Sequence, residues 1–203
     1  MKYLVAGIGT DVGKTVVSAI LVQALGADYW KPVQTGSDHD SDRETVRRLV
    51  NNPGRFFPEA VLLKEPFSPH HAAFLEGKNL AGLPIPELPP SNNLVVETAG
   101  GLLVPLSSQT LLIDWVQAWN LPVILVSRHY LGSINHTLLS VEALKSRNIP
   151  IKGLIFNGSD PFGNESILRE LTQVPIIGRL EQESDLNREV IQKYATAFYD
   201  NLI

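Results

Sequence analysis

The chain contains no cysteine, which removes disulfides, thiolate metal sites and cysteine nucleophiles from consideration. It also lacks any apolar run near the roughly 20 residues that a membrane-spanning helix needs. Positive charge is in deficit: 17 Lys and Arg stand against 21 Asp and Glu, a formal net charge of −4. No global basic field gathers nucleic acid or anionic lipid, so neither nucleic acid nor membrane is expected as a partner. A small anionic substrate has to be captured by local donors instead. The start "MKYLVAGIGTDVGKT" has no stop-transfer stretch and reads as a strand feeding a loop rather than as a signal peptide. A cytoplasmic protein is the expectation.

What is present suits one α/β domain over residues 1–203, with 44% hydrophobic and 19% charged residues, enough to bury a real core. Short apolar runs at 2–6, 29–33, 94–97, 122–127, 151–156 and 175–178 read as strands. Several are apolar on both faces, as in "PVILV" and "GLIF", which fits strands covered by helices on two sides. Helices are expected to begin near Gly13, Ser41, Gln109, Ser133, Asn164 and Ser184. The last has Ser184 as its cap and a stripe of Leu186, Val190, Tyr194, Phe198 and Leu202. The alternation predicts a mostly parallel sheet with right-handed crossovers and helices on both faces. Residues 78–93, rich in proline and closed by Ser-Asn-Asn, read as a surface connection. Trp30, Trp115 and Trp119 read as packing residues.

The stretch "GIGTDVGKT", residues 7–15, follows the first strand and opens the first helix. In that context Gly13-Lys14-Thr15 is a phosphate-holding motif. Backbone N–H groups and the helix N-terminus face the anion, Lys14 reaches the β- and γ-phosphates, and Thr15 can ligate Mg²⁺. The usual pattern has glycine five places before Gly13, where this chain has Ile8. A chance Gly-Lys-Thr at a glycine-rich turn is the plainer alternative, and the strand before and helix after favour nucleotide. The fold expected is therefore P-loop NTPase-like. ParA/MinD-like regulatory ATPases, acting through protein partners, are the alternative in another class. They carry a signature lysine at the position of Gly9, and it is absent here.

Two further segments bear charge where strands should end. "DYWKPVQTG" places Lys31 at the carboxyl end of the second strand, on the same crevice as the phosphate loop. Lys14 and Lys31 are both expected to face the solvent of that crevice. "SDHDSDRET" offers Asp38, Asp40 and Asp42, which either complement a helix dipole or supply one carboxylate to Mg²⁺. "NLVVETAGG" ends an apolar run in Glu97, and a carboxylate there needs a counter-charge or a metal.

Taken in order, "GTDVGKT", "KPVQTG", "EPFSPHHAA", "VVETAGGLLVPLS", "LPVILV", "LGSINHTLL" and "GLIFN" resemble the dethiobiotin synthetase family over nearly the whole chain. The resemblance implies that ATP, Mg²⁺ and CO2 act on 7,8-diaminononanoate to close a cyclic urea. The implied route is a carbamate, then a carbamic–phosphoric anhydride, then attack by the second amine. By the same resemblance, residues Thr10, Asp11, Val12, Gly13, Lys14, Thr15 and Val16 wrap the triphosphate. Lys31 and Lys14 are the catalytic lysines, and Thr35 contacts the substrate. Thr15, Asp42 and Glu97 hold the metal, and Asn157 reads the adenine edge. A homodimer is implied, with the backbone of Gly132, Ser133, Ile134 and Asn135 receiving the substrate carboxylate across the subunit boundary. His136, and the pair His70-His71, read as structural, since adjacent helix residues do not face one another. The chain departs from the family at Thr98, where glycine is common, and at Glu181, where proline is frequent. The second departure leaves the base pocket, and the choice between ATP and another nucleoside triphosphate, open.

Overall fold

Among the described residues seven strands run parallel in the order β4 (Phe56–Phe57), β2 (Asp28–Trp30), β6 (Leu94–Gly101), β1 (Lys2–Gly7), β7 (Val123–Arg128), β8 (Ile151–Asn157) and β9 (Ile176–Leu180). The computed structural model describes residues 1–36, 41–51 and 54–203. In chain order its elements are β1 Lys2–Gly7, α1 Lys14–Leu25, β2 Asp28–Trp30, β3 Val33–Gln34, α2 Asp42–Leu49, β4 Phe56–Phe57, β5 Val61–Leu62, α3 Pro69–Leu75 and β6 Leu94–Gly101. Then follow α4 Leu112–Trp119, β7 Val123–Arg128, α5 Ser133–Ser146, β8 Ile151–Asn157, α6 Asn164–Thr172, β9 Ile176–Leu180 and α7 Arg188–Leu202.

Helices cover both faces of the sheet, as the two-sided apolar strands require. One layer packs α1, α2 and α7 against Tyr3, Val5, Tyr29 and Val95. The other packs α4, α5 and α6 against Leu4, Trp30, Val96 and Leu125. A smaller cluster joins the two-stranded β3–β5 ribbon, α3 and α4 through Val33, Leu63, Ala72 and Trp115. The tryptophans pack as expected: Trp119 meets Trp30 and Trp115 edge-on, at 5.5 and 5.9 Å between centroids.

Four local expectations change. The single strand at 29–33 divides, because Pro32 lacks an N–H and cannot continue the ladder; β2 stays in the main sheet and β3 pairs with β5. The run at 94–97 does not stop at Glu97 but continues in β6 to Gly101. The helix expected near Gln109 begins at Leu112, since Leu106 and Ser107 donate back to Thr110 O and hold 106–110 as a turn. The last helix is capped by Asn187, whose side chain accepts from Glu189 N and Val190 N, so Ser184 lies outside it and Leu186 is exposed. The other four residues of that stripe keep the register of α7, with Tyr194, Phe198 and Leu202 buried. Residues 78–93 carry no helix or strand. No described helix is long and apolar enough to cross a membrane.

Candidate active site

The carboxyl ends of β1, β2, β6 and β8 converge on one cleft of about 620 Å³. The loop between β1 and α1 forms its floor. Two of its residues have left-handed backbone, Asp11 at φ 56° and Gly13 at φ 100°; the first is a residue type that tolerates that region, the second needs no Cβ. A Cβ on Gly13 would also lie 2.5 Å from Asn157 Nδ2. That amide donates to Val12 O at 3.0 Å, so the end of β8 clamps the phosphate loop. Val12 is buried beneath the loop, whereas Thr10 and Asp11 are exposed at its rim.

Lys14 and Lys31 both reach the cleft, but neither faces solvent as the sequence suggested: they are only 7% and 5% exposed. Lys14 opens α1 and folds its ammonium back to Gly9 O at 2.8 Å. Burial pushes its pKa down to about 8, helped by repulsion from Lys31, against the opposing pull of Glu97 and Asp42. Lys31 sits just past β2, where the chain turns at Pro32. Its ammonium pairs with Asp42 Oδ2 and lies 3.2 Å from Glu97 Oε1. Burial alone would lower its pKa; the two carboxylates outweigh burial and hold it above the usual lysine value.

Asp42 is delivered by the first residue of α2, capped by Ser41, whose side chain accepts from Glu44 N. Burial would raise the Asp42 pKa, but Lys31, the Thr15 hydroxyl and Lys14 bring it below the usual carboxylate value. Glu97 is fully buried in β6. Thr15 Oγ1 lies 2.7 Å from Asp42 Oδ1 and 3.0 Å from Glu97 Oε1. One hydroxyl proton cannot serve both carboxylates fully. This all-oxygen set of two carboxylates and a hydroxyl, beside a phosphate loop, fits a hard divalent cation of the Mg²⁺ kind. Asp38 and Asp40, the other acids of that segment, lie outside the described residues.

Thr35, half-buried, lines the cleft opposite the phosphate loop. Val16 and Asn157 stand between the cleft and a side cavity of about 200 Å³, closed by Glu181, Glu183 and Tyr194 among others. Asn157 thus sits where phosphate loop and side cavity meet. Gly132, Ser133, Ile134 and Asn135 do not line the cleft; they open α5 beside a more apolar groove formed by Leu103, Leu139 and His136. His136 is exposed and bonds Tyr130 through Nδ1 at 2.7 Å. His70 Nδ1 pairs with Ser68 Oγ.

The sequence reading missed two members of the site. Gln34, buried in β3, accepts from Asp42 N through Oε1 at 3.3 Å. Tyr29 donates its hydroxyl to Glu97 Oε2 at 2.9 Å. Strand alternation could have found Tyr29, since it shares a face with Lys31; nothing local marked Gln34.

A parallel sheet with a glycine-turned phosphate loop, a following lysine and threonine, and carboxylates from a neighbouring strand and a helix start defines a P-loop nucleotide-binding α/β protein. Residues 1–190 match the family described as an AAA domain. Among solved structures, the septum site-determining protein MinD from Pyrococcus horikoshii, complexed with Mg-ADP, superposes with a TM-score of 0.58 at 16% identity over 100% of this chain and 95% of that one. A ParA family ATPase from Chlorobium tepidum gives 0.51 at 12% identity, over 99% and 91%. At such identities these likenesses show the fold alone.

Sequence similarity is far higher elsewhere. The chain is 48% identical over 202 residues to the ATP-dependent dethiobiotin synthetase BioD of Christiangramia forsetii, covering 99% of this chain and 97% of that protein. It is 44% identical to the protein of the same name from Cytophaga hutchinsonii, over 98% of each. The chain belongs to the ATP-dependent dethiobiotin synthetase family.

Proposed function

We propose that this chain is an ATP- and Mg²⁺-dependent dethiobiotin synthase, a cyclo-ligase of biotin biosynthesis, acting as one domain over residues 1–203. One observation carries the reading at the level of chemistry. A buried Lys31 lies against Asp42 and Glu97 in the same cleft as the phosphate-loop Lys14.

In this reading the first amine of 7,8-diaminononanoate adds to CO2 and loses a proton, giving a carbamate. A carbamate oxygen attacks the γ-phosphorus of ATP and ADP departs. The second amine then attacks the carbonyl carbon of the mixed anhydride, expels phosphate and gives up a proton, closing the ring. Each species is an anion, so the work of the protein is to place positive charge before the reaction begins. Lys31 stabilises the carbamate and the transferring phosphoryl group, and its carboxylate neighbours keep it protonated. Lys14 and the backbone N–H groups of residues 10–16 hold the phosphates. Mg²⁺ bound by Thr15, Asp42 and Glu97 would neutralise the β- and γ-phosphate oxygens. Thr35 orients the diamine, and Asn157 reads the base.

The substrate carboxylate is assigned to the start of α5, Gly132 to Asn135, of a second copy. Support comes from the absence of these residues from their own cleft. Support also comes from the exposed Leu103, Leu131 and Leu139 along that flank, a surface suited to a homodimer. The reading places the enzyme in the cytoplasm.

The test is incorporation of labelled bicarbonate. Purified protein with diaminononanoate and Mg²⁺ should form acid-stable product with ATP, assayed in parallel with CTP. Folded protein that forms none above the no-enzyme background with either nucleotide defeats the proposal.

A further inference from the structure

The two oxygens of the Glu97 carboxylate have different surroundings. Oε1 faces the cleft, 3.0 Å from Thr15 Oγ1 and 3.2 Å from Lys31 Nζ. Oε2 is turned into the protein, where the Tyr29 hydroxyl donates to it at 2.9 Å. The sheet register explains the reach. Tyr29 stands beside Val95 in the β2–β6 ladder, and Glu97 lies two residues further along the same face. The phenol therefore spans a diagonal of about 7–8 Å, within range of a long aromatic side chain. Trp30 points to the opposite layer, so of β2 only Tyr29 can reach the inner oxygen.

A glutamate carboxylate turns easily about its last torsion, which is broad and two-fold. Thr15 and Lys31 cannot fix that torsion through a reaction cycle, because both face the cleft and must respond to a triphosphate and a cation. Tyr29 does not line the cleft and is completely buried, its ring 5.8 Å from that of Phe56. Burial, and then the charges of Glu97 and Asp42, push its phenol well above the usual tyrosine value.

We propose that Tyr29 is a positioning residue for the metal-binding carboxylate: by holding Glu97 Oε2 it aims Oε1 at the divalent cation beside Thr15. The inference rests on Glu97 as a ligand of Mg²⁺ but not on the identity of the organic substrate.

Mn²⁺ serves as the probe, its binding to the full chain with ATP followed by electron paramagnetic resonance. Tyr29→Phe keeps the ring and removes one oxygen. Mn²⁺ affinity in the presence of ATP should fall about tenfold or more, the usual scale for outer-shell partners, while metal-free ATP affinity and the KM for diamine stay within about twofold. The Mg²⁺ concentration for half-maximal turnover should rise by the same factor as the Mn²⁺ affinity falls. Phe56→Leu is the packing control: it loosens the ring's neighbour and spares the hydroxyl, so the melting temperature should drop with Mn²⁺ affinity unchanged. The proposal is overturned if Tyr29→Phe binds Mn²⁺ like the wild type, or if Phe56→Leu weakens it equally. A Mn²⁺ shift in a protein that makes no dethiobiotin would support the role of Tyr29 while overturning the substrate reading.

Discussion

Lys14 and Lys31 share one cleft and nearly the same burial, yet their ammonium groups are pushed in opposite directions. Lys14 has a backbone carbonyl for a hydrogen-bond partner. Desolvation therefore dominates, and its pKa falls to about 8. Lys31 has two carboxylates at its ammonium, and these reverse the effect of burial. The contrast teaches that exposure does not set a charge; the partners left at the bottom of the cleft do. It also assigns the lysines different tasks. Lys31 is held charged by its carboxylates, whereas Lys14 gives up its proton more readily until an anion binds beside it.

Removing Lys31 breaks the contrast most severely. Lys31→Met should reduce turnover by about 10³-fold, as expected for a group aimed at transition-state charge. Because it leaves the buried Glu97 carboxylate and the half-buried Asp42 without their counter-charge, it should also lower stability by roughly 3–5 kcal/mol in urea unfolding. Adding Glu97→Gln should restore part of that stability and none of the turnover. Loss of activity with unchanged stability would mean that the carboxylates are paired by something other than Lys31.

Lys14→Met should lose turnover on a similar scale, about 10²- to 10³-fold, but with the opposite effect on stability. A lysine lowered from 10.5 to about 8 disfavours the folded state wherever the folded protein must carry it protonated. That penalty is complete below pH 8 and is relieved as pH rises from about 8 to 10.5. Without nucleotide, the methionine variant should be the more stable protein at pH 7, by up to about 3 kcal/mol. Unfolding curves should show its advantage vanishing across that alkaline window. A methionine variant less stable than wild type at pH 7 would remove the distinction between the two lysines.

The smallest effect is a proton count. Binding of a triphosphate should raise the Lys14 pKa again, so between pH 8 and 9 nucleotide binding should take up a fraction of a proton. Calorimetry in buffers of different ionisation enthalpy reads this directly. Lys14→Met should abolish the uptake, and Thr35→Ala should leave it in place.

Much of the site was legible before the fold was known. The phosphate loop lies within nine consecutive residues, and Lys31-Pro32 and Glu97 announce themselves as charges at the ends of apolar runs. Depth is what the sequence does not show. A lysine after a strand reads as exposed because most are; only the packing of β2 against β6 and the approach of α2 enclose it. Tyr29 and Gln34 carry no local sequence signal for a related reason, since an aromatic or an amide inside a strand reads as packing until its polar atom meets a partner in the fold.

The sequence by itself determined the alternation of strands and helices, the parallel sheet, the phosphate loop and the family, because these depend on periodicity and on residues close together in the chain. Only the tertiary structure decided that Thr15, Lys31, Asp42 and Glu97 form one bonded cluster, that β6 runs past its glutamate, and that the pKa values of the two lysines move in opposite directions. Those outcomes depend on desolvation and on contacts between residues as much as 82 positions apart, and both exist only once the strands are laid side by side.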